Sequence, residues 1–280
     1  MEYENPEIPE GINVSREHPL KEFAVLVGGT VALILAIVLI LGWLAESIAT
    51  RIPFSYEQEI AGDIGHDVSD NPAQAAIERE LQSLAEGLAK HMQLPPEMRI
   101  RVHYVDDDTV NAFATLGGHV IMFRGLLEKM PNENALAMVL AHEIAHVRHR
   151  DPIVSLGRGV VVGLALAAIT GVSGSNLSDS VFGSAGTLTA LSFSRNQERA
   201  ADTSAVAAVA AHYGHVNGAT AVFDLFSRLE AEHPLKPPEF MASHPNSSGR
   251  RDGIAEQADL HDWPTEGILT PLPQVLQVSE

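Results

Sequence analysis

"ALAMVLAHEIAHVRHRDP", Ala135 to Pro152, sets two histidines and a glutamate inside an otherwise apolar helical run. Imidazoles and carboxylates are costly to bury unless something binds them. Four residues along a helix turn through about 400°, so His142 and His146 lie about 40° apart and one turn, roughly 6 Å, along the axis. Both rings can therefore reach one ion and supply half of a tetrahedral zinc shell. Glu143 flanks the pair closely enough to meet a water at that ion without being a ligand. A surface helix with incidental histidines is the bland alternative. Leu140, Ile144 and Val147 beside the pair argue against it, because they call for burial.

The spacing is the His-Glu-x-x-His arrangement of zinc peptidases. A catalytic zinc needs a third protein ligand and an open fourth position. The long metzincin pattern would place a glycine three residues after His146 and a histidine three beyond that; His149 and Pro152 stand there, which excludes that class. The other common solution is a glutamate on a later helix. "SFSRNQERAADTSAVAAVA" offers Glu198, with Asp202 one turn on and on the same face. Asp202 is placed to accept a hydrogen bond from a ligand histidine's other ring nitrogen, which fixes tautomer and orientation. Pairing of Glu198 with Arg195 or Arg199 on a solvated face is the alternative. The surrounding alanines, which permit close helix approach, weigh against it.

Composition narrows the class. The chain has 280 residues, 18 basic and 36 acidic, for a net charge of −18. Electrostatics thus oppose a nucleic-acid partner. There is no cysteine, so disulfides, thiolate catalysis and cysteine-bound zinc are excluded. Any metal site must be built from histidine and carboxylate.

Residues 1–22 read as a disordered acidic tail. "FAVLVGGTVALILAIVLILGWLA", Phe23 to Ala45, carries no charge and matches the ~20 residues that span a bilayer. The absence of a clean Ala-x-Ala site favours an uncleaved anchor over a signal peptide. Arg16 and Lys21 precede this span and Arg51 follows it, so the positive-inside rule puts everything after residue 50 outside the cytoplasm. "NPAQAAIERELQSLAEGLAKHM" predicts a helix capped by Asn71, with Pro72 at its first position. "RIRVHYV" alternates as a strand, and "NAFATLGGHVIMF" reads as two short strands hinged at Gly117-Gly118. Asn132 caps the histidine helix. From Asp151 the chain is mostly helical, broken at "GVSGSNLSDSVFGSAG". The apolar run Gly159 to Gly174 is too short for a confident span. It can be a core helix, a flap over the site, or a segment dipping into the bilayer.

HEIAH at 142–146 together with ERAAD at 198–202 resembles the HtpX-type zinc endopeptidases, gluzincins that include the CAAX prenyl endopeptidases and several bacterial envelope quality-control proteases. "FSYEQEIAG", "NAFATLGGHVIMFRGLL" and "SHPNSSGR" extend the likeness over residues 52 to 258 in the family's order. Leu116 stands where the family often has proline, and one N-terminal span replaces several. The resemblance implies one zinc per chain held by His142, His146 and Glu198, Glu143 as general base, and Asp202 behind the ligands. It implies polypeptide substrates, protein quality control, and a bacterial inner-membrane setting with the catalytic domain extracytoplasmic.

His244 either stabilises the transition state, occupies zinc's fourth position as a latch, or is a turn histidine facing solvent. Arg250 reads as a structural ion-pair partner. The strand carrying Gly118, His119, Val120 and Ile121 could pair with an extended substrate, His119 being expected to face solvent; an interior strand without ligand contact is the alternative. The expected fold is α+β, mainly helical: a zincin-like domain over 52–260 with a small sheet, the histidine helix and the later glutamate helix, plus the anchor at 23–45 and a C-terminal tail at 261–280. A proteolytically silent chaperone or scaffold on the same fold is the competing function, and the intact Glu143 speaks against it.

Overall fold

The computed structural model describes residues 18–62, 71–170, 193–232, 238–244 and 249–277. Residues 1–17, the Gly/Ser run after Thr170 and 245–248 of the "SHPNSSGR" stretch lie outside the described residues.

The first helix, α1 (Pro19–Ala49), contains the whole apolar run and begins four residues before it, capped by the His18 side chain. An 18-residue window with a mean hydropathy of 3.0, together with the length of the helix, suffices to cross a membrane, and none of that window is buried by protein. A short α2 (Phe54–Ala61) follows. The helix α3 (Pro72–Ala89) starts as expected, with the Asn71 side chain accepting from the Ala73 N–H.

Three strands form one sheet: β1 (Arg101–Val105), β2 (Ala112–Ala114) and β3 (His119–Phe123), in the order β1-β3-β2. β1 runs parallel to β3 and β2 antiparallel, with Phe113 opposite Ile121. The hinge between β2 and β3 is a 3₁₀ turn at Leu116–Gly118. Gly117 and Gly118 have φ of 72° and 87°, the left-handed region that glycine enters without penalty. A side chain on Gly118 would also run into the Arg99 carbonyl. β3 is therefore the central strand and paired along both edges. This corrects the expectation of strand addition at Gly118, His119, Val120 and Ile121, since no edge is left there to receive a peptide; among the described strands the outer edges belong to β1 and β2.

After a single turn, α4 (Arg124–Leu127), comes α5 (Glu133–His149), capped by Asn132 and buried on every face from Asn134 to Val147. A helix apolar all round belongs at the centre of a domain. The sheet and α3 lie against α5, and α7 (Arg195–Tyr213) packs along it. Leu81, Leu88, Leu136, Leu140 and Ile144 are fully buried in this core, each contributing about 1.5–3 kcal/mol. The small residues Ala201, Ala205 and Ala208 of α7 are buried in the same core, and short side chains of this kind let packed helices close on one another.

The chain breaks at Arg150, which is left-handed at φ 64°, and restarts as α6 (Asp151–Thr170), packed against α1. Arg150 is held there by Glu57 of α2 and by the Ile52 carbonyl at 2.7 Å. Then follow α8 (Ala221–Glu232), α9 (Glu239–Ser243) and α10 (Arg250–Leu260). The expected C-terminal tail does not hang free. Glu133 N–H donates to the Thr270 carbonyl, Thr270 N–H to Asn134, and Leu276 is buried in the main core.

Candidate metal centre

Two elements supply the heart of the site. α5 presents His142, Glu143 and His146 on one face, and α7 brings up Glu198 and Asp202. Ser194 starts α7 with a reciprocal cap with Gln197, which fixes the turn from which Glu198 projects. His244 arrives from the end of α9. One ligand-type atom from each of His142, His146, Glu198 and His244 lies within 4.8 Å of all the others, and all four residues are buried.

The histidines are oriented from behind. His142 Nδ1 lies 3.0 Å from Asp202 Oδ1, and His146 Nδ1 lies 2.8 Å from Asp151 Oδ2. With the Nδ1 protons directed at carboxylates, each Nε2 carries a lone pair. The two Nε2 atoms then face each other at 3.0 Å, and Glu198 places Oε2 3.4 Å from His142 Nε2 and Oε1 3.4 Å from His146 Nε2. Two facing lone pairs beside a carboxylate repel unless a cation or a proton sits between them. His244 Nε2 is buried with no hydrogen-bond partner, and Glu198 Oε2 has no hydrogen bond beyond its ion pair with Arg250. The donor set of imidazole and carboxylate suits zinc, so the residues present fit such an ion.

The buried groups shift one another strongly. Burial acts to raise the Glu198 carboxyl, but the imidazoles of His244, His142 and His146 hold it far below the usual carboxylate range. Asp202 is likewise kept low, with His142 and Arg250 outweighing burial. Burial acts to lower His146, and Asp151 and Glu198 overcome it, so that its pKa is pushed up to about 9. His142 also rises, its Asp202 and Glu198 contacts outweighing burial and Arg250. His244 falls through burial, despite Glu143 and Glu198 nearby.

Glu143 is fully buried. Its Oε2 accepts from the Ala114 N–H of β2 at 2.8 Å, and its Oε1 is free of hydrogen bonds, 3.5 Å from His244 Nε2. Glu143 thus stands between the sheet edge and the ligand cluster without belonging to the latter. His244 joins the cluster as a fourth potential ligand, its Nδ1 2.9 Å from Glu198 and 3.2 Å from His142 Nε2. His244 is 2% exposed, which overturns the alternative of a solvent-facing turn histidine. Phe240 stacks on the His244 ring at 4.4 Å, and Phe193 on the His146 ring at 3.9 Å.

Arg250 makes its ion pairs inside the site: Asp202 at 2.6 Å and Glu198 at 3.1 Å. Glu198 is paired there, not with Arg195 or Arg199. Asp151 and Gln197 were not legible as site residues. Gln197 donates to Asp151 Oδ1 at 2.6 Å, steadying the carboxylate that holds His146. His119, expected to face solvent, is 2% exposed. It stacks on His103, with the ring centroids 5.0 Å apart, because residues 119 and 103 fall on one face of adjacent strands.

The sequence pattern of Peptidase family M48 matches residues 75–258. Over 170 residues the chain is 32% identical to the beta-barrel assembly-enhancing protease of Yersinia pestis, covering 56% of this chain and 34% of that protein. It is 32% identical over 162 residues to the mitochondrial metalloendopeptidase OMA1 of Schizosaccharomyces pombe, covering 57% and 47%. With a protease HtpX homolog of Acidiphilium cryptum the figures are 34% over 154 residues, covering 48% and 52%. The chain spans about a third to a half of the length of these curated relatives. The family match runs from α3 into α10 and includes every side chain of the buried cluster, so the chain belongs to peptidase family M48.

Proposed function

We propose that this chain is a membrane-anchored, zinc-dependent endopeptidase, held latent by His244, that cleaves unfolded or membrane-associated proteins in quality control. The domain division follows: an anchor at 23–45 and a catalytic domain over 52–260. His142, His146 and Glu198 would hold the metal, with Asp202 and Asp151 fixing the two imidazoles. Zinc would supply Lewis-acid polarisation of a peptide carbonyl and lower the cost of deprotonating water near neutral pH. Glu143 takes the proton on Oε1 while Ala114 N–H keeps Oε2 in place, and it returns the proton to the departing amine. Substrate backbone pairs along β2, the strand that Glu143 touches, and not along the interior β3.

The observation that carries latency is the position of α9. The Phe240 N–H donates to the Val110 carbonyl just before β2, while His244 lies 2.9 Å from Glu198. One segment would thus cover both the β2 edge and the residues that would hold the metal, and it would withdraw for turnover. The relatives named as proteases favour peptide hydrolysis over a silent scaffold, as does the intact Glu143. The charges flanking α1 support an extracytoplasmic catalytic domain at a bacterial inner membrane. The test is digestion of casein by the full chain in detergent. His244→Ala should raise the basal rate at least several-fold, and a zinc chelator should abolish it. A rate that falls in His244→Ala would make His244 a transition-state group, and chelator-insensitive digestion would remove the metal from the mechanism.

A further inference from the structure

We infer that α6 is a second membrane-immersed helix, lying antiparallel to the anchor and entering the bilayer from the side that carries the metal cluster. This rests on the reading of α1 as a membrane anchor. Ala49 of α1 shares a small apolar cluster with Ile153 and Val154 of α6. One turn further, a Cβ on Gly157 would lie 3.5 Å from the Ala45 methyl. Stepping from 49 to 45 on α1 therefore accompanies stepping from 153 to 157 on α6. At 1.5 Å per residue, the helix from Gly157 to Thr170 runs about 20 Å further along α1. That reach ends near the level of Ala32, in the middle of the uncharged run. A bilayer that holds α1 between Ala32 and Ala45 also meets α6.

The composition of α6 agrees. Arg158 is its last charge, and "GVVVGLALAAIT" from Gly159 to Thr170 has none. Val162 stays 49% exposed, as does much of the apolar surface of α1. By the same register, Arg158 lies beside Leu44 and next to Trp43. An indole and a guanidinium at one depth mark a membrane–water interface. Arg158 turns back towards the catalytic body, donating to Gln197 Oε1 at 2.6 Å. Phe193 is again against His146, so the chain has returned to the side it left.

This arrangement fixes the height of the site. Asp151, which holds His146, stands seven residues before Arg158 (158 − 151), or about 10 Å along the helix. The metal cluster then sits about 10 Å above the lipid surface. Substrates within reach are polypeptide segments lying on the bilayer or just emerging from it, in preference to freely diffusing chains.

The chain contains no cysteine, so single-cysteine variants carry no background. Leu33→Cys, Val162→Cys and Ala255→Cys in the full chain, reconstituted into phosphatidylcholine–phosphatidylglycerol vesicles, are labelled with a bimane and quenched with doxyl-labelled lipids. Position 162 should be quenched at least threefold more than 255 and within a factor of two of 33. Its reaction with a membrane-impermeant maleimide should be at least tenfold slower than at 255. Quenching at 33 with aqueous behaviour at 162 would overturn the inference and leave the anchor intact. Absence of quenching at 33 would overturn the anchor reading and this inference with it.

Discussion

Asp151→Asn tests whether the carboxylate behind His146 sets metal affinity. Asp151 is buried and accepts two hydrogen bonds, from His146 Nδ1 at 2.8 Å and from Gln197 Nε2 at 2.6 Å. It also opens α6, where the helix dipole favours a negative charge by about 0.3–1 kcal/mol. Asparagine keeps the shape but has one acceptor. If its carbonyl serves His146, its amide faces the Gln197 amide, donor against donor. Gln197 cannot simply turn over, because its Oε1 already accepts from Arg158 and from the Ser194 N–H. The substitution therefore removes a charge and breaks one further bond in a buried chain. Groups of this kind change metal affinity about 10- to 100-fold, or roughly 1.4–2.7 kcal/mol. Competition titration of the metal-free full chain against a chromophoric zinc chelator measures it. Asp151→Asn should raise the zinc Kd by one to two decades, while Asp151→Glu, which keeps the charge, should lose less. A Kd within twofold of wild type for Asp151→Asn would refute the reasoning.

Glu143→Gln should bind zinc with wild-type stoichiometry and lose at least 10²-fold in peptidase rate, because a general base is removed and no ligand is; wild-type turnover would take Glu143 out of the chemistry. His119 gives a pH signature. Burial, with His103 and Arg101 nearby, lowers its pKa to about 4, since its Nε2 accepts from Arg101 and its Nδ1 meets His103 at 2.8 Å. The unfolded chain binds the extra proton from about pH 6.5 downwards. The contribution is therefore complete above pH 6.5 and is lost as pH falls through 4, on the order of 1–3 kcal/mol after screening. Urea unfolding of the full chain in detergent between pH 4 and 7 should show this slope, and His119→Gln should flatten it. An equal slope in the variant would assign the effect elsewhere.

How far the sequence carried depended on how local each interaction is. The histidine pair, its flanking glutamate, the cap residues Asn71 and Asn132 and the alternation of Val102 and Tyr104 are properties of one helix or one strand. Helix rotation and strand pleat alone place those side chains. Glu198 and Asp202 needed one non-local assumption, that α7 packs on α5, and the alanines of α7 supplied it. Asp151 was in plain view in the opening stretch. Its turn back to His146 depends on Arg150 adopting a left-handed conformation, which arginine seldom does unaided and which Glu57 from α2 secures. No local pattern announces that. Strand order was hidden for a related reason. The outer edge at β2 rather than β3 follows from β1 pairing parallel to β3 across an intervening segment, which hydrophobic alternation does not encode.

The inner charges explain why metal and fold should be inseparable. Glu143, Asp151, Glu198 and Asp202 are four buried carboxylates around three buried imidazoles, and Arg250 is the guanidinium that pairs with two of the carboxylates. Burying carboxylates without matching cations costs several kcal/mol apiece, even after relaxation. A dication held by His142, His146 and Glu198 would neutralise much of that excess, and it would bind a geometry that the unfolded chain lacks. Zinc should accordingly stabilise by mass action, about 2.7 kcal/mol at free zinc a hundredfold above its Kd. For a domain of this size each kcal/mol is worth about 2–4 °C, so the melting temperature in detergent should rise by about 5–11 °C on adding zinc to stripped protein. His244→Ala should preserve most of that rise, because three ligands remain. Removing Glu198 as Glu198→Gln should abolish it. A stripped protein that melts at the same temperature with and without zinc would mean that the imidazoles hold protons where an ion was expected, and the carboxylates would then have to be satisfied by the chain alone.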